Sequence, residues 1–136
     1  MHSYKTEIIK EIFDLVRYLN SNQLNSELTM IQLRTMMYIS DYGKVKPTKI
    51  AQNFNITPAS VTSQIDTLVQ KNLLERIYNQ NDKRVIEITL TKKGQELLEK
   101  ELDHLDVVCK KTFGILTDQE QQKLLELVEK VNNGRI

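Results

Sequence analysis

The chain has 136 residues, of which 40% are hydrophobic and 27% are charged, and its formal net charge is +1. This length fits a single domain, and the apolar fraction can supply a core without cross-links. The lone cysteine, Cys109, excludes an internal disulfide framework, and no apolar run approaches the length needed to span a bilayer. With no secretory leader recognisable at its start, the chain is expected to be a soluble cytoplasmic protein.

The charges are unevenly distributed along the chain. Residues 1–42 carry a net charge of −1, residues 43–94 carry +5, and residues 95–136 carry −3. A basic middle between acidic ends favours a polyanionic partner that approaches the centre of the chain while the ends stay away from it.

The first third of the sequence predicts two helices. Apolar residues recur at helical spacing in Tyr4–Leu19, which indicates an amphipathic helix with a broad apolar face. Thr29 and Gln32 have the spacing of a capping box, so a second helix is predicted to begin there. Its methionines are interpreted as core residues rather than as the lining of a ligand pocket: Met30, Met36 and Met37.

Two helices joined by a tight link are predicted next. Pro47 is placed to open a short helix that ends at Phe54, and Thr57 followed by Pro58 is a strong start signal for a helix through Lys71. Such a pair forms a helix-turn-helix, whose second helix reads the major groove through short hydrogen-bonding side chains. The DNA contacts predicted on this recognition helix are Thr57, Ser60, Thr62, Ser63 and Gln64.

A β-hairpin is predicted behind the helix-turn-helix. The runs Leu73–Tyr78 and Val85–Leu90 alternate in polarity, and the six-residue tip between them is longer than the tightest hairpin turns. In this position the hairpin would be the wing of a winged helix. Lys83 and Arg84 are predicted to contact the DNA backbone or minor groove, and Asp82 is predicted to orient Arg84 through an ion pair.

Two further helices are predicted after the wing. Thr91 can cap a long helix that Gly114 ends, and Thr117–Glu120 is a second capping box that opens the last helix. Four residues of the long helix recur at 4-3-4 spacing, as in a pairing seam: Leu98, Leu102, Leu105 and Cys109. Cys109 is interpreted as a buried packing residue.

These elements predict a mainly α protein with a small β-hairpin (α+β): a winged helix-turn-helix with N- and C-terminal dimerisation helices. The first and last helices carry more apolar surface than a monomer of this size can easily cover, which favours a homodimer.

Three segments resemble the MarR family of bacterial winged helix-turn-helix transcriptional regulators. "DKRVIEITLTKKG" looks like the family's D-x-R, alternating strand and L-T-x-x-G, and "LTMIQLRTMMYI" and "ITPASVTSQIDTLVQKNLLER" also follow its pattern in order. Two positions depart from that pattern. Asn72 stands where the family usually has glycine, and Ser63 stands where many members have arginine.

The resemblance implies one MarR-like domain over residues 1–136, with a winged-helix DNA-binding lobe at 29–94 and dimerisation helices at 1–22 and 95–136. It further implies an obligate homodimer that regulates transcription, as a repressor, from a palindromic operator in double-stranded DNA. Relief by a small aromatic or anionic ligand is also implied, because family members often bind one between the dimer helices and the DNA-binding lobe.

Other functions receive less support from the sequence. His2 and His104 are far apart and no Cys/His cluster exists, so no metal and no cofactor are expected. Because a glycine-rich phosphate loop, a nucleophile elbow and a plausible carboxylate pair are all missing, we expect no catalytic residues. The remaining alternative is a winged helix that binds protein instead of DNA, which the charge distribution disfavours.

Overall fold

The structure, a computed structural model, describes residues 3–22 and 27–134. Within these residues it contains six helices and a two-stranded antiparallel sheet, which confirms the predicted fold class. The elements in chain order are α1 (Tyr4–Asn22), α2 (Met30–Tyr42), α3 (Pro47–Phe54), α4 (Pro58–Gln70), β1 (Leu74–Tyr78), β2 (Ile86–Leu90), α5 (Lys92–Phe113) and α6 (Asp118–Asn133). In the described part of the chain, every helix is too short or too polar to cross a membrane.

The helix starts lie at the predicted capping residues. At α2 the Thr29 hydroxyl accepts a hydrogen bond from the Gln32 amide, and the Gln32 side chain accepts one from the Thr29 amide. Thr117 and Glu120 form the same reciprocal pair at α6. These local bonds satisfy amides that have no partner inside the helix, which explains why the sequence locates helix starts well.

The end of α1 lies beyond the prediction, at Asn22 rather than at Leu19. The added residues are polar and break the apolar pattern, but their side chains bond back to the helix. The Ser21 hydroxyl donates to the Arg17 carbonyl at 2.8 Å, and the Asn22 amide group donates to the Tyr18 carbonyl at 2.8 Å. Each of these bonds ties a polar side chain to a carbonyl four residues earlier, so Ser21 and Asn22 stay attached to the last turn of the helix.

The core lies where α2, α3, α4 and α5 meet the hairpin. Its most deeply buried side chains include Met36, Ile39, Leu68 and Ile88. Met37 packs against this core as expected, whereas the prediction of a core residue is wrong for Met30, which is exposed and lines a small cavity instead. The predicted loop before α3 also joins the sheet, because Val45 exchanges both backbone hydrogen bonds with Ile88, at 3.0 and 2.7 Å.

The 4-3-4 stripe of α5 packs within its own chain. Leu98 is buried, and Leu102 and Leu105 lie against the core that α2 helps to form. Cys109 is half-buried and lines a cavity of about 50 Å³ between α1, α2 and α5, with Leu33 on the opposite side. The pairing seam predicted from the spacing therefore joins α5 to the core of the same subunit.

The start of α5 is locked to the base of the hairpin. The Thr91 amide donates to the Leu73 carbonyl at 3.1 Å, and the Thr91 hydroxyl donates to the Asn72 carbonyl at 2.6 Å. Asn72 has the left-handed conformation, with φ of 60°, which asparagine tolerates where the family usually has glycine. Gly94 faces the same carbonyl of Leu73 so closely that a Cβ would collide with it.

We expect Gly94→Ala to destabilise the protein by roughly 1–3 kcal/mol, as other overpacking substitutions do, because the new methyl group meets backbone rather than a flexible side chain. Thermal melts at one protein concentration measure the effect. Gln95→Ala is the matched control, since Gln95 is exposed on the same helical turn. Equal melting temperatures for the two variants would contradict this account of the junction.

Candidate nucleic-acid interface

The turn between α3 and α4 consists of Asn55 and Ile56. Asn55 has the left-handed conformation, with φ of 52°, and the Ile56 amide donates to the Ala51 carbonyl at 3.1 Å. Thr57 then caps α4, its hydroxyl accepting from the Ser60 amide at 3.1 Å. Thr57 therefore holds the start of the recognition helix in addition to any contact it makes outside the protein.

The predicted DNA-contacting residues lie in the first two turns of α4 or at its cap, and they differ in exposure. Ser60, Thr62 and Ser63 are exposed, whereas Gln64 is half-buried. The Thr62 hydroxyl donates to the Pro58 carbonyl at 3.0 Å, so its proton is occupied within the helix. Ser60 and Ser63 consequently have the most accessible polar groups on this face.

The wing tip is an ordered turn. Asn79 Oδ1 accepts hydrogen bonds from the amides of Asn81 and Asp82, at 2.8 and 3.2 Å. The backbone closes the turn through the Asn79 amide on the Val85 carbonyl and the Val85 amide on the Asp82 carbonyl, both at 3.0 Å. Lys83 lies at this tip and is exposed. An asparagine that bonds its following amides is a common turn-forming arrangement.

The expected ion pair between Asp82 and Arg84 is present at the wing tip. Arg84 Nε donates to Asp82 Oδ1 at 3.1 Å, and the Arg84 amide donates to the same oxygen at 3.0 Å. Arg84 Nη2 also donates to Asp82 Oδ2, at 3.4 Å, so the carboxylate holds the guanidinium itself although the Arg84 side chain is 92% exposed.

The Arg84 side chain, and then its backbone amide, hold the pKa of Asp82 below its usual value. A lowered carboxyl pKa means that the pair is fully formed above the ordinary carboxyl range and is lost only as the pH falls through the lowered value. Asp82 is therefore ionised throughout the neutral range.

The sequence reasoning missed an ion pair between Asp66 of α4 and Arg76 of β1. The 100° periodicity of α4 puts Asp66 on its outward side together with Ser63, and the structure adds that Arg76 reaches it from the wing. A second missed contact supports the turn of the helix-turn-helix, where the Arg34 guanidinium lies 4.0 Å from the centre of the Phe54 ring. Neither contact has a signature in sequence spacing.

Sites for other ligands are limited in the part of the chain that the structure describes. No group of three or more His, Cys, Asp or Glu side chains within residues 3–22 and 27–134 could hold a metal ion. His104 Nε2 lies 3.3 Å from the carbonyl oxygen of Asn22, so this histidine contacts backbone. The cavity beside Cys109, at about 50 Å³, is smaller than the cavities of about 150 Å³ that accept a benzene ring. A more open pocket of about 260 Å³ lies between α2, β2 and α5, lined by Ser40, Thr89 and Glu99 among others.

A capped recognition helix, an ordered cationic wing and a two-residue turn between α3 and α4 define the class of winged helix-turn-helix DNA-binding proteins. The MarR family model matches residues 28–86, which run from just before α2 into β2. The transcriptional repressor MdtR of Bacillus subtilis is 30% identical over 104 residues, which cover 76% of this chain and 67% of MdtR. The chain belongs to the MarR family, whose members are transcriptional regulators and not enzymes.

Solved structures agree with this assignment. A mutant of Escherichia coli MarR complexed with operator DNA is 25% identical, with a TM-score of 0.78 over 96% of this chain and 99% of that protein. A MepR-like protein complexed with pseudoligands is 29% identical, with a TM-score of 0.72 over 94% of this chain and 91% of that protein. This chain is thus a transcriptional regulator with a DNA-binding winged helix.

Proposed function

We propose that the protein is a repressor that binds a palindromic operator as a homodimer. In each subunit, α4 enters the major groove with Thr57, Ser60, Thr62, Ser63 and Gln64 towards the bases, while the wing reaches the backbone or minor groove. The observation that carries this proposal is the wing tip, because the Arg84 side chain is almost fully exposed while its guanidinium is oriented by Asp82. MdtR is a repressor, and E. coli MarR was solved on operator DNA, which supports the same role here.

The homodimer is supported by two helices that the single chain leaves uncovered. Every described residue of α1 and α6 is at least partly exposed. Their exposed side chains include Ile12 and Phe13 on α1 and Leu125 and Val131 on α6. A monomer seldom exposes apolar surface in this arrangement, whereas a second copy buries both helices at once.

Relief of binding by a small aromatic or anionic ligand is the finer part of the proposal. A MepR-like relative binds pseudoligands, which supports a ligand-responsive role. The cavity beside Cys109 is too small for an aromatic ring, but the open pocket between α2, β2 and α5 has room for one at about 260 Å³.

Salt dependence tests DNA binding against the alternative, a winged helix that binds protein. Affinity for duplex DNA should fall steeply as salt rises, because each neutralised phosphate releases counterions. A protein-binding module would show weak affinity for every duplex, with no preferred sequence after binding-site selection. That second result would overturn the proposed function.

A binding-site selection on each variant should distinguish residues that contact bases from residues that contact the DNA backbone. We expect Ser63→Ala and Gln64→Ala to change the preferred operator positions, whereas Lys83→Ala weakens binding to all sequences about equally. Ser63 gives the larger change because it is exposed, while Gln64 is half-buried. Identical sequence preferences for the wild type and both α4 variants would move base readout to other residues.

A further inference from the structure

We propose that Asp66 and Arg76 form a positioning pair that sets the angle between the recognition helix and the wing, and so determines operator affinity without touching DNA. The inference rests on the proposed DNA binding. The two side chains form an ion pair between α4 and β1, ten residues apart in the chain. This ion pair joins the exposed side of the recognition helix to the strand that leads into the wing tip.

The hairpin register explains how Arg76 reaches α4. Arg76 lies opposite Ile88, and paired residues of antiparallel strands point to the same face. That face carries the buried residues Leu74 and Ile88, so Arg76 extends from the core side of the hairpin to its edge. Its side chain is only 30% exposed, against 92% for Arg84 at the tip. Arg76 is thus oriented towards the helix, whereas Arg84 is oriented towards solvent.

Asp66 needs a neutralising partner because of its location. Asp66 lies on the same side of α4 as Ser63, which comes about one helical turn before it. The Asp66 side chain is 51% exposed. A free carboxylate there would be repelled by the phosphates that flank the groove. Pairing with Arg76 offsets that charge. The ion pair also links α4 to β1, and it therefore resists movement of the helix relative to the strand.

Relative movement matters because the helix and the wing contact DNA at separate places. β1 ends at Tyr78, immediately before the turn that presents Arg84. Rotation of the hairpin on α4 would therefore change the separation between Ser63 in one groove and Arg84 in the next. If that separation is already fixed in the free protein, less conformational entropy is lost when the protein binds DNA.

The competing explanation is that Arg76 contacts a DNA phosphate directly. Two measurements distinguish this explanation from the positioning role. If Arg76 contacted phosphate, Arg76→Gln would lower the salt slope of binding by about 1, and Asp66→Asn would tighten binding by removing a repulsive charge. If the pair acts by positioning, both substitutions weaken binding and the salt slope stays unchanged, because the number of phosphates neutralised is the same.

The experiment measures affinity for the selected operator duplex across a salt series, together with thermal melts. We expect Asp66→Asn and Arg76→Gln each to weaken binding roughly three- to tenfold, and the double variant to be no worse than the poorer single variant, as for directly coupled residues. The exchanged pair, Asp66→Arg with Arg76→Asp, should recover part of the loss. Asp106→Asn and Lys110→Gln are matched controls, because they break an ion pair of α5 at 3.0 Å and should leave affinity unchanged.

Three outcomes would overturn the positioning role: tighter binding by Asp66→Asn, a lower salt slope for Arg76→Gln, or additive losses in the double variant. Each of them leaves the proposed DNA binding intact, since the wild-type protein still binds its operator. Absence of operator binding by the wild type would instead overturn the proposed function and the positioning role together.

Discussion

Replacing Ile12 and Val16 with aspartate is expected to convert the proposed homodimer into monomers and to reduce operator affinity by roughly 10²- to 10⁴-fold. Both side chains are about half exposed in the single chain, and Ile12 lines an open groove of α1 together with Ile8 and Leu15. Two charges in a buried interface cost far more than they do in solvent. Each monomer would then hold one half-site, without the gain that comes from linking two.

Light scattering gives the mass, and titration of operator DNA gives the affinity. Lys10→Asp is a suitable control, because it also introduces an aspartate into α1 but at an exposed position that pairs with Glu7. It should remain dimeric. If the double variant kept both its dimeric mass and its affinity, α1 would lie outside the interface. The fold of the subunit should survive, because α1 and α6 contain no buried side chain among the described residues.

The features that the sequence predicted correctly are those determined by neighbouring residues. The capping residues Thr29, Thr57, Thr91 and Thr117 all lie where they were expected, because each bonds an amide three residues ahead. Asp82 and Arg84 are two residues apart, so their ion pair could be predicted in the same way. Local chemistry of this kind requires no knowledge of the tertiary fold.

The features that the sequence could not predict depend on distant residues. The bridge of Val45 to Ile88 joins a loop to a strand 43 residues later, and the ion pair of Asp66 with Arg76 depends on how α4 packs against the hairpin. The 4-3-4 stripe of α5 has the same periodicity whether it faces another subunit or its own core, and its burial against α2 had to come from the structure.

Replacing Arg84 with alanine is expected to weaken operator binding roughly ten- to a hundredfold, because the variant loses an almost fully exposed and oriented cation at the wing tip. Stability should be unchanged, since the side chain is almost entirely in solvent. Lys83→Ala is the natural comparison, because Lys83 is the neighbouring cation and is also exposed, whereas Asp82 pairs with Arg84. We expect its effect to be smaller, since a side chain that is free to rotate loses more entropy on binding.

Asp82→Ala distinguishes a positioning carboxylate from a simple turn residue. An acidic group at a DNA-facing tip is repelled by phosphate, so its removal should tighten binding unless it organises a neighbouring cation. Because Asp82 accepts from both the side chain and the amide of Arg84, we expect Asp82→Ala to weaken binding, although less than Arg84→Ala does. The double variant should lose less than the two single losses combined, since an aspartate without its arginine has nothing left to orient.

All three affinities are measured at one salt concentration with parallel melts. Fully additive losses, or tighter binding by Asp82→Ala, would mean that Arg84 contacts DNA without being oriented by Asp82. Asp82 would then be only a turn residue.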